Sequence, residues 1–339
     1  MFGFGKLGYR SSPPSRITQV DGWAYPGINQ VWTLPAKETN ICAKISPCGE
    51  CALIDGVFVE NRADIHVGLR QDLLESSAIL PSLADTIPGR TSDSLEIVGD
   101  NLVTQLHEFG RVAFQFDSPL TNDQFLRLGS LLGTPIPETD IAVTPHVERQ
   151  VILNIVSQYP QTQNVCLQPF ATNFLTLHSE SSSRRTEDQP RFIVFMCCDP
   201  GEDSMAAQTV FVPMETVYRQ LTSRNVAVLS QTKYRQSQHG PPILRRLGCR
   251  HVFSFRDFLS QTLEWTHYGD ETSATGINTD IRNLLASMYA PEAALGVRWT
   301  RGMLVIIDNT FFFHGRKAGS VGTSIRRRHL KRLRILNTR

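Results

Sequence analysis

Two short stretches far apart in the chain constrain its fold more than any other feature: Leu177-His178-Ser179-Glu180 and Asp308-Asn309-Thr310-Phe311-Phe312-Phe313-His314. Side chains at i and i+2 of a β-strand point to one side, so His178 and Glu180 can both face inward while Ser179 faces away. Two imidazoles and one carboxylate on one face of an ion leave its other positions open, the ligand set of non-haem Fe(II) oxygenases. Three adjacent residues cannot cap one face of an ion, so the second imidazole, His314, must arrive on another strand. The chain therefore needs a fold that lays distant strands side by side. Alone, His-x-Glu is a common pattern, and a His before a Gly is often a turn or a satisfied core residue.

The C-terminal segment strengthens the reading. It runs Ser324-Ile325-Arg326-Arg327-Arg328-His329-Leu330-Lys331-Arg332-Leu333-Arg334-Ile335-Leu336. A basic tail for nucleic acid or a localisation signal is the plain interpretation. Strand periodicity argues against it, because Arg328, Leu330, Arg332 and Arg334 share one face while Arg327, His329, Lys331, Leu333 and Ile335 share the other. An arginine turned into a pocket needs an anion, since an unpaired buried charge costs several kcal/mol. A guanidinium binds a carboxylate as a two-pronged fork. These residues suggest an inward arginine waiting for an acidic small molecule near the metal.

His178-x-Glu180, the segment from Asp308-Asn309 to His314-Gly315-Arg316, and Arg328 with Arg332 together resemble the Fe(II)/2-oxoglutarate dioxygenases of the taurine dioxygenase superfamily. The Glu of His-x-Glu, and the fourteen residues from His314 to Arg328, look most like the clavaminate synthase and arginine β-hydroxylase branch. The similarity covers roughly residues 96–336. It implies a mixed α/β, mainly β fold, a double-stranded β-helix or jelly roll with flanking helices. It implies Fe(II) on His178, Glu180 and His314, with 2-oxoglutarate and O2 as co-substrates. Arg328 would hold the far carboxylate of 2-oxoglutarate with Thr209 beside it, and Arg332 would contact a substrate carboxylate. Glu180 argues against halogenation, which requires a small residue in place of the carboxylate. The expected reaction is hydroxylation of an unactivated C–H in an amino acid or amino-acid-derived metabolite, within natural-product biosynthesis. Desaturation and oxidative cyclisation use the same cofactors, and a catalytically inactive jelly-roll binding protein is the alternative of another class.

At 339 residues the chain can bury a large core without disulfide staples. Its net charge of +2 gives no whole-protein field for nucleic acid. No apolar run approaches the roughly 18 residues of a membrane span. The N-terminus lacks the continuous apolar core of a signal peptide, so a cytoplasmic protein acting on a small molecule, with no nucleic-acid or membrane partner, is expected. Gly3, Gly5 and Gly8 spell G-x-G-x-x-G, but no strand precedes them and Ser11-Ser12-Pro13-Pro14 follows where a helix would run. Seven cysteines without a secretory signal are expected to be reduced thiols. Cys48-Gly49-Glu50-Cys51, with Cys42 and His66, could make a zinc site, although no second C-x-x-C accompanies it. Cys197 and Cys198 end an apolar strand and read as packing.

Residues 1–95 are expected to form an extension that packs on a main domain of 96–339. Asp55-Gly56 between apolar runs reads as a hairpin turn. Helical spacing over 101–110 ends on Gly110, alternation over 111–116 gives a strand, and 121–133 is an amphipathic helix. His146 reads as structural. The polar stretch 181–190 is a solvated loop and a candidate lid, with Arg184 or Arg185 reaching substrate. Glu187, Asp188 and Asp270 are candidate partners for an amino group. Thr209-Val210-Phe211-Val212-Pro213 leads into a helix from Met214 to Leu221. Residues 222–300 form an insert, strand-like over 250–256 and helical over 279–289. Met303–Ile307 is a fully apolar run suited to a buried strand that delivers His314. Phe311, Phe312 and Phe313 wall the pocket or pack, with Phe312 the candidate for substrate contact.

Overall fold

The computed structural model describes residues 53–336, apart from 93–94, 159–161, 163, 203–206, 238, 270–272, 291, 293 and 320–325, with backbone only over 95–101. The glycines near the N-terminus, Cys42, Cys48 and Cys51, and Asp270 lie outside the described residues. In chain order the first elements are β1 (Ile54–Phe58), α1 (Ile65–Leu74), β2 (Thr86–Gly89), α2 (Leu95–Phe109), β3 (Arg111–Phe116) and α3 (Asn122–Leu132). Next come β4 (Thr134–Pro135), β5 (Val147–Glu148), β6 (Ile152–Val156), β7 (Leu175–His178), β8 (Phe192–Asp199) and β9 (Thr209–Pro213). A mixed segment follows: α4 (Met214–Gln220), α5 (Ser223–Ser230), β10 (Thr232–Tyr234), β11 (Leu244–Leu247), β12 (Arg250–Phe253), β13 (Leu263–His267) and α6 (Ala274–Met288). The last strands are β14 (Leu295–Val297), β15 (Met303–Asp308), β16 (Phe312–Arg316) and β17 (His329–Leu336). The fold is mixed α/β and strand-rich.

A strand that is apolar on both faces needs cover on both. β15 is such a strand, in the middle of an eight-stranded sheet ordered β2-β3-β15-β8-β17-β6-β5, with β4 also on β17. Its Leu304 and Ile306 pack with Leu102 and Leu106 of α2 and Phe125 and Leu128 of α3. Its Val305 and Ile307 pack on the opposite side with Phe211, Val297 and Phe312 of a four-stranded sheet ordered β14-β9-β16-β7. Each such side chain contributes roughly 1.5–3 kcal/mol by leaving water. β17 divides in the same way. Leu333 and Ile335 join the helix-side core, while Leu330 joins the core between the sheets and Arg332 and Arg334 face inward beside it. Arg328 lies just ahead of the strand. Cys197 is buried between the sheets and Cys198 packs on the helix side.

Helix α2 ends where Gly110 adopts φ 66°, and α3 opens on a reciprocal Thr121–Gln124 cap. The outer face of the small sheet, with Leu177, Val210, Val212 and Phe313, is covered by Phe253, Leu284, Tyr289 and neighbours from the 214–289 segment. Within that segment α6 begins earlier than helical spacing suggests, capped by Ser273, and β12 stops at Phe253. Among the described residues, no helix is long and apolar enough to cross a membrane.

Asp55-Gly56 is not a turn. Both residues lie inside β1, which pairs antiparallel with β13 and sets Gly56 opposite Trp265. A Cβ on Gly56 would come within 2.1 Å of the Trp265 ring, so the glycine provides room for an indole and not a left-handed turn. Only the packed structure shows this, because a D-G pair reads identically in both settings. Further along, Arg70 of α1 reaches Asp257 (2.8 Å) and Glu60 (2.7 Å), and Tyr289 donates its hydroxyl to Asp257 (2.6 Å). Tyr289 also accepts the backbone N–H of Leu177, one residue before His178. A buried polar chain thus joins the first helix to the strand that carries the site.

Gly56→Ala should destabilise the protein by ~1–3 kcal/mol through overpacking against Trp265, read as a lower urea midpoint. Glu60 is opposed by burial, yet His66 and Arg70 hold its carboxyl down at about 2. Its contribution is therefore complete above the ordinary value near 4.5 and disappears as pH falls toward 2. Glu60→Gln should flatten the acid loss of stability across that window, measured by chemical denaturation at stepped pH.

Candidate metal centre

Antiparallel pairing of β16 with β7 places His314 directly opposite His178. Glu180 lies two residues past the His178 end of β7, in a turn where Ser181 has φ 57°. Ser179 points away and exchanges hydrogen bonds with the backbone of Phe255. Asn309 fixes the turn. Its Oδ1 accepts the Glu180 N–H (2.8 Å), and its Nδ2 donates to the carbonyls of Glu180 (3.2 Å) and Pro190 (3.1 Å). Next to it, Asp308 pairs with Arg191 at 2.6 Å. The Asp-Asn pair ahead of His314 is therefore a bracket for the opposite ligand.

His178, Glu180 and His314 present donor atoms that all lie within 4.8 Å of one another. Glu180 Oε2 is 3.9 Å from His178 Nε2 and 3.6 Å from His314 Nε2. His178 Nδ1 is 2.8 Å from the Thr176 carbonyl. A proton on Nδ1 donated to that carbonyl leaves the Nε2 lone pair directed at the centre. Burial, followed by the neighbouring His314 and Arg256, pushes His178 well below its ordinary value and keeps it neutral. Burial opposes ionisation of Glu180, but Arg332, His314 and Arg334 hold its carboxyl well below the usual range. A neutral imidazole and an ionised carboxylate are the forms that bind a divalent cation. The donor set fits Fe(II).

Two cavities adjoin the triad. The smaller, about 50 Å³, touches His178, His314, Thr209, Arg328 and Leu330. Arg328 is buried there, donates Nη1 to the Ala207 carbonyl (3.1 Å), and leaves Nε without a partner. Burial lowers its guanidinium to about 10. Thr209 accepts the Trp299 indole N–H at 2.8 Å, which leaves its own hydroxyl proton to donate. Arg316, in contrast, is satisfied by the carbonyls of Gln168, Pro169, Ala171 and Asn173 and holds that loop in place.

The larger cavity, about 360 Å³, opens over His178 and Glu180 and is bounded by Glu138, Arg184, Tyr234, Arg256, Arg332 and Arg334 among others. Arg332 already has carboxylate partners within the chain. Its Nη2 meets Glu138 at 2.9 Å and its Nη1 lies 3.4 Å from both Glu180 oxygens. Arg334 also holds Glu138, at 2.7 Å. Arg184 is exposed at the cavity edge. Phe312 requires a correction: its ring is 2% exposed, packs edge-on against Phe211, and borders neither cavity. It shares the His314 face of β16, but one step away along the strand that face is core. Glu187 and Asp188 pair with Arg185. His146 lies tilted against Phe170, with ring centroids 4.4 Å apart. Glu138, Tyr234 and Arg256 carry no local sequence signal, because each is defined by contacts with distant segments.

The family model for the taurine catabolism dioxygenase TauD, TfdA family matches residues 80–334. The chain belongs to this family. It is an Fe(II)/2-oxoglutarate-dependent dioxygenase, and Fe(II), 2-oxoglutarate and O2 are its cofactor and co-substrates. The superfamily expected from His178-x-Glu180, His314 and Arg328 is the one found. Among curated proteins none matches the chain. Its fold is similar to the PvcB protein from Pseudomonas aeruginosa, with TM-score 0.55 and 20% identity over 76% of this chain and 90% of that one. It is also similar to asparagine oxygenase, with TM-score 0.54 and 16% identity over 83% and 92%. A further likeness is to the non-haem iron oxygenase OrfP in complex with (3S)-hydroxy-L-Arg, at TM-score 0.52 and 16% identity over 71% and 80%.

Asn309→Ala leaves buried backbone groups of Glu180 and Pro190 without partners. It should cost ~1–3 kcal/mol of stability and weaken metal binding, followed by calorimetric titration with Fe(II) under nitrogen.

Proposed function

We propose that His178, Glu180 and His314 hold Fe(II) and that the far carboxylate of 2-oxoglutarate rests on Arg328 and Thr209. The reaction is hydroxylation of an unactivated C–H in an amino acid or amino-acid-derived metabolite, in a natural-product pathway. The observation that carries this reading is Arg328, a buried guanidinium without a carboxylate partner among the described residues, in a cavity shared with both histidines. A dicarboxylate reaching from the triad to Arg328 would neutralise a charge that is otherwise costly to bury. Asparagine oxygenase and OrfP, whose complexes contain hydroxylated amino acids, support the substrate class. The two sheets facing across the site are, in this reading, the halves of a double-stranded β-helix. The 222–300 segment is its insert and contributes Tyr234 and Arg256 to one wall.

Fe(II) with 2-oxoglutarate supplies O2 activation, releasing succinate and CO2. The chain supplies position and shielding. Thr176 sets the His178 tautomer, and Asn309 holds the Glu180 backbone. Arg332 and Arg334 keep Glu180 ionised and aimed, and Trp299 orients the Thr209 hydroxyl toward the cavity. The larger cavity accepts the substrate beside His178 and Glu180, with Arg184 at its edge.

Arg328→Ala should weaken 2-oxoglutarate binding by about 30-fold or more while Fe(II) binding persists. Anaerobic titration monitored by the visible band of the Fe(II)–2-oxoglutarate chelate reads both. Unchanged 2-oxoglutarate affinity would remove Arg328 from the site. Persistence of the band in His178→Ala would remove His178 from the ligand set.

A further inference from the structure

The larger cavity holds four arginines in different electrostatic circumstances. Arg332 and Arg334 are tied to Glu138 and Glu180. Arg184 is exposed. Arg256 is different. It is largely buried, and its guanidinium donates from Nη2 to the neutral Oε1 of Gln168. Among the described residues no carboxylate lies in ion-pair contact with it. Burial pushes its guanidinium down, and the carboxylates that act on it, Glu180 foremost, act only at a distance.

Its placement is rigid. Arg256 bridges to His178 across the strand edge, so its backbone sits beside a triad residue. Its N–H donates to the Tyr234 hydroxyl at 2.9 Å, and Tyr234 donates onward to Ser182. The next residue, Asp257, is held by Arg70 (2.8 Å) and Tyr289 (2.6 Å), and its N–H donates to the Leu177 carbonyl. The backbone that carries the side chain is thus tied down on both sides, and Gln168 holds the guanidinium itself.

We propose that Arg256, and not Arg332, receives the carboxylate of the substrate and so selects for acidic substrates with a free carboxyl group. The inference rests on the reading of the larger cavity as the substrate site. A carboxylate at Arg256 would neutralise a largely buried arginine that lacks a contacting acid and would dock the substrate on the His178 side of the cavity. Arg332 could accept a substrate only by giving up Glu138 or Glu180, and loosening Glu180 would disturb the triad itself. Arg256 can accept one without that cost.

The test uses the free L-amino acids and their carboxamides as probes of the full-length protein. Binding is read twice: by perturbation of the anaerobic Fe(II)–2-oxoglutarate band, and by calorimetry on the metal-free protein. At least one free acid should bind and its amide should not. Arg256→Gln should weaken that acid at least about 30-fold while leaving the 2-oxoglutarate titration unchanged, and Arg256→Lys should recover part of the loss. Because the Arg256 anchor to Tyr234 is a backbone N–H, both variants should keep the parent melting temperature. Equal binding of acid and amide, undiminished binding in Arg256→Gln, or no acid binding in either form would overturn the proposal. Acid binding to metal-free protein that is lost in Arg256→Gln, with no chelate band in any form, would support Arg256 and defeat the iron assignment instead.

Discussion

The antiparallel register of β16 against β7 is the constraint from which the site follows. It sets His314 opposite His178, and the turn after β7 then carries Glu180 to the same point. A one-residue slip would turn His314 to the other face, among the apolar side chains that cover the small sheet. Phe313 and Gly315 make the slip costly. Phe313 is fully buried against Phe253, and a Cβ at Gly315 would crowd the Leu175 carbonyl. Asn309 ties the two elements together again through three hydrogen bonds to Glu180 and Pro190. The histidine pair and the carboxylate are thus held by backbone geometry before any ion is bound.

Charge compensation organises what surrounds the triad. Glu180 is matched by Arg332 and Arg334, which are matched in turn by Glu138. Arg316 is matched by carbonyls, and Arg70 by Glu60 and Asp257. Against this background Arg328 and Arg256 stand out, one in each cavity, because each lacks a contacting acid among the described residues and neither is enclosed by several carbonyls as Arg316 is. In a medium of low dielectric such charges are stabilised by the arrival of an anion.

Much of the framework was legible in the residues. The alternation after Arg328 gave the inward and outward faces of β17, and the uninterrupted apolar run 303–307 required a strand covered on both sides. His178, Glu180 and His314 were legible because few side chains bind metals and because strand periodicity limits which can share a face. Other features were not legible. Asp55-Gly56 reads as a turn until Trp265 is seen to occupy the space above Gly56. Phe312 reads as a pocket wall until its ring is found between Phe211 and the core. Arg332 reads as an unpaired inward cation until Glu138, far away in the chain, is found on its guanidinium.

By itself, the sequence determined the chemistry available: which donors can hold an ion, which strands must be buried, and which residues of the last strand share a face. These follow from side-chain type and from the period of two that every strand obeys. Only the tertiary structure decided which of the cations are already neutralised. That depends on contacts between segments such as 138 and 332, or 70 and 257, and no local pattern records them. The difference separates Arg332 from Arg256, two arginines of one cavity that are equivalent by residue type and distinct once their neighbours are in place.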